Sequence, residues 1–329
     1  MNPIEGTRIF VTGGAGFIGS TTVDQLLEQG AAEVRVLDNY VRGSVRNLED
    51  ARRSGRLTLV EGDIRDADLV DNLTRGVDYV FHMAALRITR CAEAPREAVE
   101  VLINGTSNVL ESAVRHKVKK IVAASSASVY GDPSYLPMDE NHPFNNRTLY
   151  GACKIANEQM LRSYNEIFQL PYVAFRYFNV YGPRMDLDGV YTEVLVRWLD
   201  AIDAGQPPKI FGNGAQSMDF VYVEDVARAN LAGLVSDATD EVFNVGTGVE
   251  TTLNQLCHLL LKISESNLKP EYREARRVNN VRARRATTDK AERMLGFKAD
   301  VDLESGLKRI VEWRDQVKSE LIATVGSAK

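Results

Sequence analysis

Tyr150 and Lys154 lie four residues apart in a segment with helical periodicity, so both side chains share one face of the predicted helix. A phenol with an ordinary pKa of about 10 is a weak base at neutral pH. We expect the Lys154 ammonium and a positively charged nicotinamide ring to favour the phenolate. Tyr150 then accepts the proton of a hydroxyl group while the carbon that carries this hydroxyl transfers a hydride to the nicotinamide. The pair therefore predicts alcohol oxidation with a nicotinamide cofactor.

Hydroxyl side chains form a second part of this predicted site. Ser125, Ser126 and Ser128 follow the apolar run Lys119–Ala124, which predicts a buried strand. They therefore fall at the carboxyl edge of the sheet, where ligands bind in α/β proteins. An isolated Tyr-x-x-x-Lys pattern is common by chance and more often structural, so the catalytic interpretation depends on a cofactor site elsewhere in the chain.

A glycine-rich segment between the first predicted strand and a helical pattern has the residue types of a dinucleotide-binding loop. Gly13 permits a tight turn, Gly16 lets the backbone approach a pyrophosphate, and Gly19 allows the helix to pack closely on the strand. The helix N-terminus then faces the negative charge. The residues predicted to contact the cofactor here are Gly13, Gly16, Phe17, Ile18 and Gly19.

Acidic residues after the next two predicted strands complete the cofactor prediction. Asp38 lies 19 residues beyond Gly19 and is followed by Asn39. A carboxylate here accepts hydrogen bonds from an adenosine ribose and repels a 2′-phosphate, which predicts NAD rather than NADP. Asp63 and Ile64 are predicted to border the adenine, although Asp63 is equally suited to capping a helix. A glycine-rich turn with a surface aspartate is the simpler alternative.

The elements that must position these side chains alternate along the chain. Apolar runs predict buried strands and longer periodic segments predict helices between them, which is typical of a parallel, doubly wound α/β sheet of Rossmann type. The predicted strands are Arg8–Thr12, Glu33–Leu37, Leu57–Val60, Asp78–Phe81, Lys119–Ala124, Tyr172–Arg176 and Glu241–Val245. The predicted helices are Phe17–Gln29, Pro95–His116, Leu149–Phe168 and Val190–Ala204.

The pattern loosens after Asn179, where proline and glycine punctuate shorter elements. We expect an NAD-binding domain over residues 1–178, with a return to the main sheet near 219–248. Residues 179–329 are expected to form mainly a smaller, interleaved α/β substrate-binding domain.

Composition limits the possible partners. The chain has 329 residues, 44% hydrophobic and 26% charged, with a net charge of −5, which suits a globular protein with a large core. It has neither the basic footprint of a nucleic-acid-binding protein nor an apolar run able to span a membrane. The first strand begins too early for a signal peptide to precede it, which predicts a cytoplasmic location. Cys91, Cys153 and Cys257 are too far apart to suggest a disulfide framework or a metal site, so we expect packing roles.

Five segments together resemble the extended short-chain dehydrogenase/reductase family, and within it the NAD-dependent nucleotide-sugar epimerases and dehydratases, over essentially the whole chain. These segments are Thr12–Gly19, Ser125–Gly131, Tyr150–Lys154, Arg176–Arg184 and Asp219–Val226. The resemblance implies that Ser126 orients the substrate hydroxyl, that Tyr150 is the base and that Lys154 binds the cofactor ribose.

Further residues are implied by the resemblance alone. Ala84 and Ala85 match a small-residue turn against the cofactor, Asn179 matches an asparagine on the diphosphate side of the substrate, and Arg277 matches an arginine near the nucleotide. Arg87 lies in a loop expected to face the substrate. The substrate-binding residues predicted in this way are Arg87, Ser126, Ser128, Tyr150, Asn179 and Arg277.

The residues after Ser126 distinguish the branches of this family. Sugar 4,6-dehydratases carry Asp-Glu there, and UDP-glucuronate decarboxylases usually place a glutamate at the position of Ser128. This chain has Ala127 and Ser128. We therefore expect epimerisation of a nucleotide-diphosphate sugar, at C4, by reversible hydride transfer through a 4-keto intermediate. A nucleotide-sugar dehydrogenase or ketoreductase, a dehydratase and an inactive NAD-binding regulatory protein remain as alternatives.

Three departures from the family pattern leave the nucleotide base and the sugar open. Met218 stands where an arginine commonly binds the diphosphate, and a thioether cannot replace that cation. Asn280 stands where UDP-hexose epimerases carry an aspartate. Arg284 occupies the position of a tyrosine or a smaller residue that borders the sugar. A cation there can meet a phosphate or a sugar carboxylate, and a solvated arginine cluster is the simpler alternative.

The resemblance also implies a homodimer in which the helices Pro95–His116 and Leu149–Phe168 of both subunits form a four-helix bundle. Helices covered by a sheet on one side and a partner on the other should be apolar on more than one face. Apolar residues that fit this expectation loosely are Val99, Val101, Leu102, Ile103, Val109 and Leu110.

Overall fold

Seven parallel strands form the central sheet of the computed structural model, which describes residues 2–186, 194–275 and 281–326. The strands are β1 (Arg8–Thr12), β2 (Glu33–Asp38), β3 (Leu57–Glu61), β4 (Tyr79–His82), β5 (Lys120–Ser126), β6 (Tyr172–Tyr177) and β7 (Glu241–Val245). Their spatial order is β3-β2-β1-β4-β5-β6-β7, so the chain reverses direction across the sheet between β1 and β4. Ligands bind at such a switch point, beyond the carboxyl ends of the strands.

Helices cover both faces of the sheet and continue into the C-terminal part of the chain. They are α1 (Phe17–Glu28), α2 (Glu49–Arg53), α3 (Ala67–Thr74), α4 (Ile88–Glu93), α5 (Pro95–Val99), α6 (Gly105–Arg115), α7 (Leu149–Phe168), α8 (Val194–Asp203), α9 (Val223–Val235), α10 (Leu253–Ile263), α11 (Asp289–Leu295) and α12 (Leu303–Gly326). The predicted doubly wound α/β fold is therefore confirmed.

One predicted helix is not a regular α-helix throughout. Between α5 and α6, Glu100–Asn104 form a π-helical turn, so the expected segment Pro95–His116 is helical but interrupted. Such turns are often found at functional sites, and Val101 from this turn borders the cleft described below. The predicted start of the helix Val190–Ala204 falls outside the described residues, and α8 is described from Val194.

The hydrophobic core lies on both faces of the sheet, and the segment that returns to the sheet packs on one of these faces. On one face α1 packs against α9, and on the other α3 packs against α6, because each helix presents an apolar stripe to strands that are apolar on both sides. The strand β7 pairs with β6, so the segment from α9 to β7 lies on the main sheet. A separate cluster includes Trp198, Leu256, Leu260 and Leu307.

Three pairs of short strands form outside the main sheet. Asn179–Tyr181 pairs with Phe220–Tyr222, Lys209–Phe211 with Glu271–Arg273, and Ser217–Met218 with Thr251–Thr252. The three cysteines are buried and unpaired. No helix in the described ranges is long and apolar enough to cross a membrane.

Candidate active site

A cleft of about 560 Å³ opens at the carboxyl ends of β1, β2, β4 and β5. It brings together residues from the glycine loop, the ends of four strands and the first turns of α7. Every residue predicted to bind the cofactor borders it, namely Gly13, Gly16, Phe17, Ile18, Gly19, Asp38, Asn39, Asp63, Ile64, Ala84, Ala85, Tyr150 and Lys154.

Steric limits explain the glycines of the loop. Gly13 has φ +70°, and a Cβ there would lie 2.7 Å from the backbone nitrogen of Ala84. A Cβ on Gly19 would lie 2.2 Å from the carbonyl oxygen of Gly13. Gly16 caps α1 without a side-chain hydrogen bond, so the first-turn N–H groups have no side-chain partner from the cap. This loop suits the pyrophosphate of a dinucleotide.

Asp38 binds backbone groups of the loops that surround the predicted adenosine site. Its buried carboxylate accepts hydrogen bonds from the backbone nitrogens of Ala15 and Tyr40, each at 2.9 Å, while burial raises the pKa of Asp38. A carboxylate has about four acceptor positions, so the two backbone bonds leave capacity for a ribose hydroxyl. Gly43 approaches the same carboxylate so closely that a Cβ would lie 2.7 Å from it.

Asp63 borders the cleft and does not cap the helix that follows, which its sequence position also allowed. It accepts a hydrogen bond from the Asn39 amide at 2.9 Å and pairs with Arg65 at 2.9 Å, which lowers the pKa of Asp63. The residue that caps α3 is Asp66, which accepts from the backbone nitrogen of Leu69 at 3.0 Å.

The start of α7 places the predicted catalytic pair. Thr148 caps this helix by accepting a hydrogen bond from the backbone nitrogen of Gly151 at 3.1 Å, so Tyr150 and Lys154 fall in the first two turns on one face. The Lys154 ammonium donates to the carbonyl oxygen of Ala124 at 2.6 Å and lies 5.9 Å from the centre of the Tyr150 ring. Burial lowers the pKa of Lys154 to about 8, while the charge of Glu158 acts in the opposite direction.

Burial has the largest effect on the pKa of Tyr150. Burial raises it, and a hydrogen bond with Ser126 together with the charges of Arg42 and Arg284 opposes the increase without cancelling it. The protein's own residues therefore raise the pKa of Tyr150, because removing a phenolate from water costs more than these groups return, and the lowering expected with the nicotinamide charge stays a prediction.

Sequence reasoning missed a buried hydrogen-bond network on the helix that carries Tyr150 and Lys154. Arg176 binds both oxygens of Glu158, at 2.9 and 2.7 Å, and the Ser125 hydroxyl donates to Glu158 at 2.5 Å. Glu158 and Arg176 are almost fully buried, so the pair joins α7 to β5 and β6 through charge-assisted hydrogen bonds. The signal for this network in the sequence was Arg176, a charged residue at the end of the otherwise apolar predicted strand Tyr172–Arg176.

The structure brings together only part of the predicted substrate site. Arg87 and Ser128 border the cleft. Ser126 does not border the cleft, but it contacts Tyr150. Asn179 does not border the cleft, and its backbone nitrogen donates to the carbonyl oxygen of Asp219 at 3.0 Å. Arg277 and Asn280 lie outside the described residues.

Two charged residues at the cleft were also missed by sequence reasoning. Asp186 pairs with Arg87 and lies 3.7 Å from Arg42, and all three border the cleft. These residues come from three separate loops, so no local pattern in the sequence joins them.

Comparison with known proteins gives a consistent result. Residues 9–246 match the model of the NAD dependent epimerase/dehydratase family. A putative UDP-glucose 4-epimerase of Methanocaldococcus jannaschii is 39% identical over 313 residues, which cover 93% of this chain and 97% of that protein.

Two solved structures are similar along almost the whole chain. The UDP-glucose 4-epimerase of Thermotoga maritima, solved with UDP-glucose, has a TM-score of 0.89 at 35% identity and covers 94% of this chain and 99% of its own. The UDP-N-acetylglucosamine 4-epimerase of Methanobrevibacter ruminantium, solved with UDP-N-acetylmuramic acid, has a TM-score of 0.90 at 33% identity, with coverage of 95% and 99%.

Proposed function

The chain belongs to the NAD dependent epimerase/dehydratase family, and from this premise we propose that it is an NAD-dependent epimerase that inverts C4 of a UDP-linked sugar. The observation that carries the proposal is the position of Tyr150, which borders the cofactor cleft, contacts Ser126 and shares a helix face with Lys154. Bound NAD supplies the acceptor and donor of the C4 hydride and a positive ring charge.

The chain's own residues then manage the proton and the geometry. Tyr150 accepts the proton of the C4 hydroxyl as the 4-keto sugar forms, and returns it to the opposite stereoisomer. Ser126 donates to the oxygen that Tyr150 deprotonates, and Lys154 binds the nicotinamide ribose and favours the phenolate by its charge. The small residues Ala84 and Ala85 leave space for the cofactor.

The positions of the carboxylates that border the cleft favour epimerisation over elimination of water. Among the described residues that border the cleft, the carboxylates are those of Asp38, Asp63 and Asp186. Asp38 and Asp63 lie at the predicted adenosine end, and Asp186 is paired with Arg87. A dehydratase needs a second acid and base beside the reacting sugar, and Ala127 and Ser128, the two residues that follow Ser126, supply no carboxylate.

The test is stereochemical. The protein is incubated with NAD and a panel of UDP-, GDP-, CDP- and dTDP-sugars, and products are identified by NMR. We expect the C4 epimer of a UDP-sugar without net absorbance of reduced nicotinamide. Tyr150→Phe should lower turnover about 100- to 10,000-fold, whereas Tyr164→Phe, about four turns away on α7, is the matched control. A 4-keto-6-deoxy product, or stoichiometric reduction of NAD, would contradict the proposal.

We also propose a homodimer formed by the helices of residues 95–116 and 149–168. Val99, Ile167 and Phe168 are exposed on these helices, at 42%, 65% and 50%, which supports a covered apolar surface. Of the six residues expected to be apolar at the bundle, four belong to the protein's own core, namely Val101, Leu102, Val109 and Leu110. The cytoplasmic location and the division into domains 1–178 and 179–329 remain predictions.

A further inference from the structure

We propose that the segment Gly182–Asp186 is a strap that closes over the predicted pyrophosphate site and keeps the reduced cofactor bound until its hydride returns to the sugar. The inference rests on the proposed function, because an epimerase must return the hydride to the same 4-keto sugar before either molecule leaves. A net oxidoreductase instead releases its reduced cofactor in every cycle, so slow release favours isomerisation.

The strand order places the two loops that Asp186 contacts on either side of the glycine loop. Arg42 follows β2 and Arg87 follows β4, and these two strands are the neighbours of β1 in the sheet. Asp186 pairs with Arg87 and lies 3.7 Å from Arg42. Its carboxylate therefore connects the loops after β2 and β4 across the loop after β1, where the pyrophosphate is predicted to bind.

A second ion pair holds the strap two residues earlier. Arg184 donates to the carboxylate of Asp24 at 2.6 Å, and Asp24 belongs to α1, the helix that begins at the glycine loop. Arg184 also borders the cleft. Its φ of +68° lies in the left-handed region, which a residue with a side chain keeps only where its surroundings hold it. The strap is therefore held at two points, by charges of opposite sign.

The middle of the strap is attached to the second hydrophobic cluster. Met185, between the two charged residues, is buried in the cluster that contains Trp198. The ion pairs of Arg184 and Asp186 therefore join this cluster to the loops that surround the cofactor cleft. The bridge of two arginines and one carboxylate over the glycine loop keeps one net positive charge, which attracts a pyrophosphate.

Burial makes these ion pairs an effective barrier to cofactor release. The side chains of Arg87 and Asp186 are 18% and 24% exposed, and those of Arg184 and Asp24 are 21% and 19% exposed. Water and salt therefore screen the pairs only in part, and their hydrogen bonds are charge-assisted. A cofactor beneath the strap leaves only after these bonds break.

The rate of NADH release tests the proposal without a sugar. Protein loaded with NADH is mixed with excess NAD, and the decrease in the fluorescence of bound NADH gives the rate constant. Asp186→Asn should release NADH about 10- to 100-fold faster than the wild type, and Arg184→Gln should change the rate in the same direction. Added salt should accelerate release from the wild type more than from Asp186→Asn, because salt weakens an ion pair that the variant lacks.

Asp200→Asn is the matched control. Asp200 pairs with Arg314, and neither residue borders the cleft, so this variant should release NADH at the wild-type rate. Release from Asp186→Asn at the wild-type rate would overturn the proposal, as would equally fast release from Asp200→Asn. Weaker binding of UDP-sugars by Asp186→Asn without faster release of NADH would assign Asp186 to the substrate and would also overturn the proposal.

The failure of this inference can be distinguished from the failure of the proposed function. Faster release of NADH from Asp186→Asn, in a protein that epimerises none of the sugars, would contradict only the proposed function. Epimerisation by a wild-type protein that releases NADH as fast as Asp186→Asn would contradict only the strap.

Discussion

At the scale of single residues, Tyr150 and Lys154 are perturbed in directions that oppose their proposed charges. Burial raises the pKa of Tyr150 and lowers the pKa of Lys154 to about 8. The protein alone therefore favours neutral phenol, and the ammonium of Lys154 is lost as the pH rises through about 8. The charges of Arg42 and Arg284 reduce the cost of the phenolate, and the positive ring of bound NAD adds to them.

The pH profile of turnover should reflect this arrangement. We expect kcat/KM to rise with pH as Tyr150 loses its proton, and to fall above about pH 8 as Lys154 loses its charge. In Lys154→Arg the guanidinium stays charged at alkaline pH, so the alkaline decrease should disappear even if overall activity is lower. A decrease at the same pH in both proteins would assign it to another group.

Cofactor choice is predicted to depend on the charge of Asp38. Asp38→Asn removes the repulsion of a 2′-phosphate, so we expect the preference for NAD over NADP to shrink by about tenfold or more, measured by fluorescence titration of both cofactors. Asp63→Asn is the matched control at the adenine side, and it should weaken binding without changing the preference. An unchanged ratio in Asp38→Asn would show that shape rather than charge selects the cofactor.

At the scale of elements, α7 carries the proposed chemistry because its N-terminal half is fixed at two points. Thr148 holds the N-terminus, and Glu158, bound to Arg176 and Ser125, holds the third turn against β5 and β6. Tyr150 and Lys154 lie between these two anchors. The positions of Tyr150 and Lys154 in the cleft are therefore set by the start of the helix rather than by a flexible loop.

Loss of the cap should affect stability and catalysis together. Thr148→Ala should lower the free energy of unfolding by about 1 kcal/mol and also lower kcat, because fraying of the first turn moves Tyr150. Urea unfolding and turnover assays measure the two effects. Thr148→Ser keeps the accepting oxygen and should retain both properties. Equal losses in the serine variant would indicate that the methyl group, rather than the hydrogen bond, is important.

At the scale of the whole molecule, the surface of α5 is predicted to be covered by a second copy. Val99→Glu places a charge in the proposed bundle, and we expect light scattering to show a monomer where the wild type is a dimer. Val235→Glu is the matched control, since Val235 has the same 42% exposure but lies at the end of α9. A monomeric wild type, or a dimer that tolerates Val99→Glu, would contradict the four-helix bundle.

The sequence by itself determined the sheet and the cofactor loop. Strand positions, the helix from Phe17 and the glycines at 13, 16 and 19 depend on local periodicity and local backbone geometry, and both are written in consecutive residues. The position of Tyr150 and Lys154 on one helix face is local in the same sense, because four residues make about one turn.

Only the tertiary structure decided the charges at the site. It showed Asp66 rather than Asp63 capping α3 and Glu158 bound to Arg176. It also showed that burial of Tyr150 opposes the charges expected to favour its phenolate. Each of these depends on burial and on partners from distant parts of the chain. A residue's sequence neighbours carry no information on either, because desolvation and Coulomb energy depend on distances in three dimensions.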